Sequence, residues 1–218
     1  LQIESERRKI RRENSVLMRD NVYGPLFNNI GMILDDVLVG RETDYKAFDR
    51  LDAVREHYLF FAVDRDLRKD LDELLDMVNR YSFIRRAFDA MLQDVTRKKV
   101  QEAYRVDIGF DSNDAILRLL KSSITVSVIS LRELIFWGIT PKDFVTQEIR
   151  KWGEDVSVEV SVGGKKSSDL TEFSKLYTAV LSEIEKNSLY SDERQGRKRV
   201  VEQLDRFLER MKPLVKVE

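Results

Sequence analysis

The chain carries a single histidine, His57, close to carboxylates at Asp49, Asp52 and Glu56. An imidazole beside carboxylates can move protons or ligate a metal, so this cluster is the first place to look for chemistry. Asp52 and Glu56 share one helix face at i, i+4. A ferritin-like carboxylate site requires a glutamate three residues before its histidine, and Val54 stands there. A zincin requires two histidines on one helix, which a chain with one excludes. The residue types therefore predict a partly exposed histidine beside a buried aromatic row, without a catalytic or ligand role.

Further carboxylates recur at helical spacing, with Asp66, Asp70 and Glu73 on one side and Asp72 with Asp76 on another. Such pairs can hold a divalent cation or a magnesium diphosphate. Here Arg68, Lys69 and Arg80 are interleaved with them, which predicts ordinary surface ion pairing. Gly163-Gly164-Lys165-Lys166-Ser167-Ser168 sits where a phosphate loop would follow a strand. That pattern needs glycine five residues before the Gly-Lys pair and Ser or Thr after the lysine, and Glu159 and Lys166 occupy those positions. A basic turn is the expectation. With no nucleophile elbow, dinucleotide glycine pattern or kinase signature either, no catalytic residue, cofactor or metal ligand is assigned.

Basic residues cluster at Arg7, Arg8, Lys9, Arg11 and Arg12, and again at Arg194, Arg197, Lys198 and Arg199. A formal net charge of −1 gives no global field toward nucleic acid, and no nucleic-acid module is evident. If a membrane span preceded Leu1, the first cluster would mark its cytoplasmic side and favour anionic headgroups. The chain begins at Leu1 rather than at methionine, which makes continuation from an upstream segment an attractive expectation. Without cysteine there are no disulfides, thiolate nucleophiles or cysteine-based zinc sites.

These residues must be carried mostly on helices. With 42% hydrophobic and 35% charged residues, the composition describes a folded, helix-rich chain. From Leu1 to Asp20 the main apolar positions are Ile3, Ile10 and Leu17, too thin a seam for a two-stranded coiled coil. Gly24-Pro25 should break this extension from the next helix, whose Leu26, Ile30, Ile33, Leu34, Val37 and Leu38 end at Gly40. A helix from Asp44 to about Val63 should place Tyr45, Phe48, Leu51, Val54, Tyr58 and Phe61 on one side. The clearest helix carries Leu67, Leu71, Leu74, Val78, Tyr81, Ile84, Phe88, Met91 and Val95, spans roughly 40 Å or more, and fades near Asp107–Gly109.

From a cap at Asp111 or Ser112, Ile116, Leu120, Ile124, Val128, Leu131 and Ile135 favour a helix to Gly138. A strand over Ile124–Ile129 is the alternative. Thr140-Pro141 opens a helix carrying Phe144, Val145, Ile149 and Trp152. Val156, Val158, Val160 and Val162 alternate as a strand; Lys165–Asp169 reads as a loop, and Ile124–Ile129 is the intrachain candidate to pair with that strand. Helices from Ser168 or Asp169 to Lys186 and from Ser191 to Met211 follow, the last ended by Pro213.

The expected fold is predominantly α, a bundle around one long central helix with a minor β element near 156–162. Residues 1–24 form an exposed helical extension and 25–218 a helical domain, with a sub-boundary near 106–112. The expected function is a non-catalytic interaction or scaffold domain, part of a longer, membrane-anchored protein at the cytoplasmic face. A protein partner or self-association as a homodimer is expected, with membrane proximity through the N-terminus. A carboxylate-based enzyme or ligand binder and a nucleic-acid-associated helical protein are the alternatives.

Overall fold

The structure, a computed structural model, describes residues 2–41, 45–105 and 115–216. Its elements begin with α1 (Gln2–Met18), a π-helical turn (Arg19–Tyr23), α2 (Gly24–Val39), α3 (Tyr45–Glu56), a 3-10 turn (Tyr58–Ala62) and α4 (Arg65–Tyr104). Strands β1 (Ala115–Lys121) and β2 (Ile124–Ser130), α5 (Leu131–Trp137), α6 (Pro141–Trp152) and strands β3 (Val156–Val162) and β4 (Lys165–Ser167) follow. The chain closes with α7 (Leu170–Ile184) and α8 (Ser188–Val215). The protein is predominantly helical with a minor β element. It divides into two compact units, Leu1–Ile84 with Arg194–Glu218, and Arg85–Glu193, so both boundaries fall inside helices. The caps expected at Asp44 and at Asp111 or Ser112, the helix end near Asp107–Gly109 and the sub-boundary near 106–112 lie outside the described residues.

The first unit is a helical bundle. Its core joins Leu26, Ile30 and Ile33 of α2, Leu51 of α3, Leu71 and Val78 of α4, and Leu204 and Met211 of α8. Gly40, left-handed at φ 71°, caps α2 where the sequence places it. The expected break at Gly24-Pro25 is absent. A proline inside a helix lacks an N–H and clashes with the carbonyl four residues back. Here the backbone widens instead: the Gly24 N–H donates to the Arg19 carbonyl, and the helix passes through a π turn into α2. A Cβ at Gly24 would lie 3.0 Å from that carbonyl, so glycine suits the tight spot.

The aromatic side expected for α3 also needs correction. The α-helix stops at Glu56, His57 turns to extended backbone at ψ 133°, and the chain continues as a 3-10 turn. Three residues per turn rephase the side chains. Phe60 and Val63 are buried, whereas Tyr58 and Phe61 are 71% and 74% exposed. Pro213 likewise does not end α8, which runs on to Val215.

In the second unit an antiparallel sheet of order β2-β1-β3-β4 packs one face against helices. Ala115, Leu117, Leu119, Ile129, Val160 and Val162 meet Phe88 and Leu92 of α4, Leu134 of α5, Phe144 of α6 and Phe173 of α7 in one core. Residues 115–130 are thus a β-hairpin and not the favoured helix. The spacing itself is ambiguous: Ile116 and Leu120 stand four apart, an even number, so they share a strand face as readily as a helix stripe. The turn gives no warning either. Ser122 and Ser123 take positive φ of 47° and 75°, conformations that normally call for glycine or asparagine.

β3 finds its partners on both sides, and neither is the segment expected. It pairs with β1 and, through the tight Gly163-Gly164 turn, with β4, which replaces the expected loop at 165–167; β2 lies beyond β1. α5 opens with a reciprocal capping box, in which Ser130 accepts from the Glu133 N–H while Glu133 accepts from the Ser130 N–H. α6 opens on Thr140, as its sequence implies, and α7 opens on Asp169, one of the two caps its sequence offers.

Leu74 and Phe88 are buried, one in each core. Leu74→Ala should cost about 2–5 kcal/mol and Phe88→Ala about 3–5 in urea unfolding, against losses under about 0.5 for a solvent-facing stripe. Ser123→Gly relieves a left-handed serine and should raise stability by about 1 kcal/mol, measured the same way. A fall in stability would mean that the serine side chain contributes more than its backbone strain costs.

Candidate functional site

The residues around His57 are brought together only in part. The His57 ring is half-buried, and its Nδ1 accepts from the Leu59 N–H at 3.3 Å, which caps the 3-10 turn. Its ring stands 4.7 Å from that of Tyr58. Next to this corner lies a cleft of ≈ 680 Å³, lined by Asp52, Arg55, Glu56, Phe61, Arg65 and Arg68 among others, with His57 outside the lining. Arg55 spans it, donating to Asp52 at 3.3 Å and to Asp72 of α4 at 2.7 Å. The Arg68 Nε is buried there without a hydrogen-bond partner among the described residues. Carboxylates at Asp52, Glu56 and Asp72 stand beside the cations of this lining.

Of the acidic series on α4, Asp70, Asp72, Glu73 and Asp76 enter separate ion pairs. Asp70 meets Arg210 of α8, Glu73 meets Lys69 at 3.5 Å, and Asp76 meets Arg80 at 3.1 Å. No group of three or more histidine, aspartate or glutamate side chains among the described residues could hold a metal ion. Burial, with the Asp64 carboxylate as the lesser cause, holds the Tyr23 phenol above its ordinary pKa and keeps it neutral. Gly163 and Gly164 make the β3–β4 turn, both at positive φ, and Lys166 reaches Glu159 at 3.4 Å across the sheet.

The two basic clusters differ sharply. On α1, every side chain from Ile3 to Ser15 is exposed, and Arg7, Arg8, Lys9, Arg11 and Arg12 make no ion pair among the described residues. On α8, Arg194 and Arg197 are half-buried and engaged with other groups, leaving Lys198 and Arg199 exposed. Ile3, Ile10 and Leu17 are likewise exposed, so α1 offers a cationic helix with a sparse apolar line.

Two features go beyond the sequence expectations, the exposure of Tyr58 and Phe61 and the position of β2, the alternative strand over Ile124–Ile129, at the edge of the sheet. The first was hidden by the change to a 3-10 turn. The second had a signal in the β-branched Ile124-Thr125-Val126-Ser127-Val128-Ile129 run. Comparison with protein-family models, with curated proteins and with solved structures finds no match. His57→Asn should keep the cap and the melting temperature, and His57→Ala should cost about 0.5–1 kcal/mol, since the contact is a turn cap. A loss well above that range, or a bound metal removed by either substitution, would assign the histidine a different task.

Proposed function

We propose that this chain is a non-catalytic interaction domain of a longer protein, held at the cytoplasmic face of a membrane through its N-terminal helix. The observation that carries the reading is α1, exposed along Ile3–Ser15 yet continuous through the π turn with the buried α2. An isolated helix of this length is marginal in water, and packing normally supplies its stability. α1 draws its nucleus from α2 but buries nothing over its first turns, so its surface is available to something else. Its five clustered cations, free of ion pairs among the described residues, suit an anionic surface, where each contributes about 1 kcal/mol. Among the described residues no helix is long and apolar enough to cross a membrane, so in this reading α1 lies against the surface.

Asp52, Asp72 and Asp76 are spent in surface bridges, and in the second cationic cluster Arg194 and Arg197 are half-buried and engaged, which leaves only Lys198 and Arg199 exposed. Both points favour interaction over the two alternatives. Co-sedimentation with vesicles provides the test. The chain should bind phosphatidylcholine vesicles containing phosphatidylserine and ignore phosphatidylcholine alone, and added salt should weaken that binding. Replacing Arg7, Arg8, Arg11 and Arg12 with glutamate should abolish it. Equal binding to both vesicles, or none to either, would overturn the membrane assignment.

A further inference from the structure

The two edges of the sheet are built differently. β4 is three residues long and carries Lys165 and Lys166, the short, lysine-bearing form that discourages a further strand. β2 is seven residues, Ile-Thr-Val-Ser-Val-Ile-Ser, with no charge, proline or glycine. It lies outermost on the other side, and apart from the Ser130 N–H, which donates to Glu133 at 2.8 Å, no backbone hydrogen bond beyond its ladder with β1 engages it among the described residues. Ile124 and Val128 stand 70% and 54% exposed on it. One protective feature is present: the register shift opposite Leu119/Leu120 leaves an extra residue at Val126. A bulge bends its strand locally. The stretch Ser127–Ser130 beyond it stays in regular register with β1.

We propose that β2 is an interface for a second copy of this chain, pairing antiparallel with its own counterpart across a two-fold axis to make one continuous sheet. The inference rests on the reading of the chain as an interaction domain and names one of its surfaces and its partner. A row of unpaired N–H and C=O groups is a template for another strand, and main-chain bonds supply the attraction. The occupant follows from the side chains. An edge with no charged residue offers an acidic or basic peptide no complement, whereas a second β2 brings the same uncharged, β-branched residues. Antiparallel pairing about a two-fold axis sets each strand against itself, and a closed dimer is the commonest symmetric assembly. It also covers both copies' unprotected edges at once.

Sedimentation over the micromolar range should show a species of twice the chain mass that dissociates on dilution. Val128→Lys places a charge on the pairing edge and should weaken the dimer by about tenfold or more, whereas Val128→Thr keeps a neutral β-branched residue and should retain it. If Val128→Lys loses its cooperative melt beside Arg118, Thr125→Lys takes its place. The cysteine-free chain allows a second measurement. Under oxidation, Val128→Cys should form a disulfide-linked dimer, and Lys166→Cys on the opposite edge should not.

A chain that stays monomeric throughout, or a dimer indifferent to both lysine substitutions, would overturn the inference. So would equal crosslinking at 128 and 166. A dimer insensitive to β2 substitutions but lost when α1 is altered would remove this interface while leaving the interaction reading in place. Vesicle binding by α1 is scored separately and does not depend on β2.

Discussion

A helix of 40 residues in water must bury an apolar line along most of its length, and α4 is built around that demand. Leu67, Leu71, Leu74, Val78 and Tyr81 alternate steps of four and three and enter the core of the first unit. Phe88, Leu92, Thr96 and Val100 then step by four and enter, or border, the second. Steps of four on a helix with 3.6 residues per turn turn the buried line by about 40° each. One helix thus supplies two cores with two differently pitched stripes. Met91 and Val95, on the simple continuation of the first stripe, are only half-buried.

Within the second unit, α4 is tied to α5 by more than apolar contact. The Arg85 guanidinium lies 4.4 Å from the centre of the Phe136 ring and 3.3 Å from Asp89, which also approaches Arg132 at 3.9 Å. Cation–π contacts of this kind gain when the cation is shielded from water, and Arg85 is mostly shielded. The sheet contributes the opposite kind of surface. One face is apolar and covered; the other carries Arg118 and Glu159, 3.5 Å apart on paired strands. This alternation gives β1 its inward Ala115, Leu117 and Leu119.

The candidate surfaces are legible to different degrees. The interleaved charges on α4 could be read directly, because they depend on spacing along one helix. The cationic run on α1 was equally plain. The β2 edge was not, since being an edge is a relation among strands distant in sequence. Tyr58 and Phe61 fall on the buried side only if the helix continues past His57, and one extended residue is enough to turn them outward.

By itself the sequence determined the predominantly helical character, the stripe from Leu67 to Tyr81, the caps at Gly40, Thr140 and Asp169, and the alternating strand β3. Each is a local pattern, written in residues within a turn or two of one another, where propensity and capping act. Only tertiary structure decided that residues 115–130 are a hairpin, that β3 lies between β1 and β4, and that the chain passes Pro25 without a break. Even-numbered spacing satisfies helix and strand alike, and the choice falls to whichever burial the distant segments offer. Here Val160 and Val162 across the ladder, with Phe173 of α7 in the same core, supply an apolar face that favours the strand.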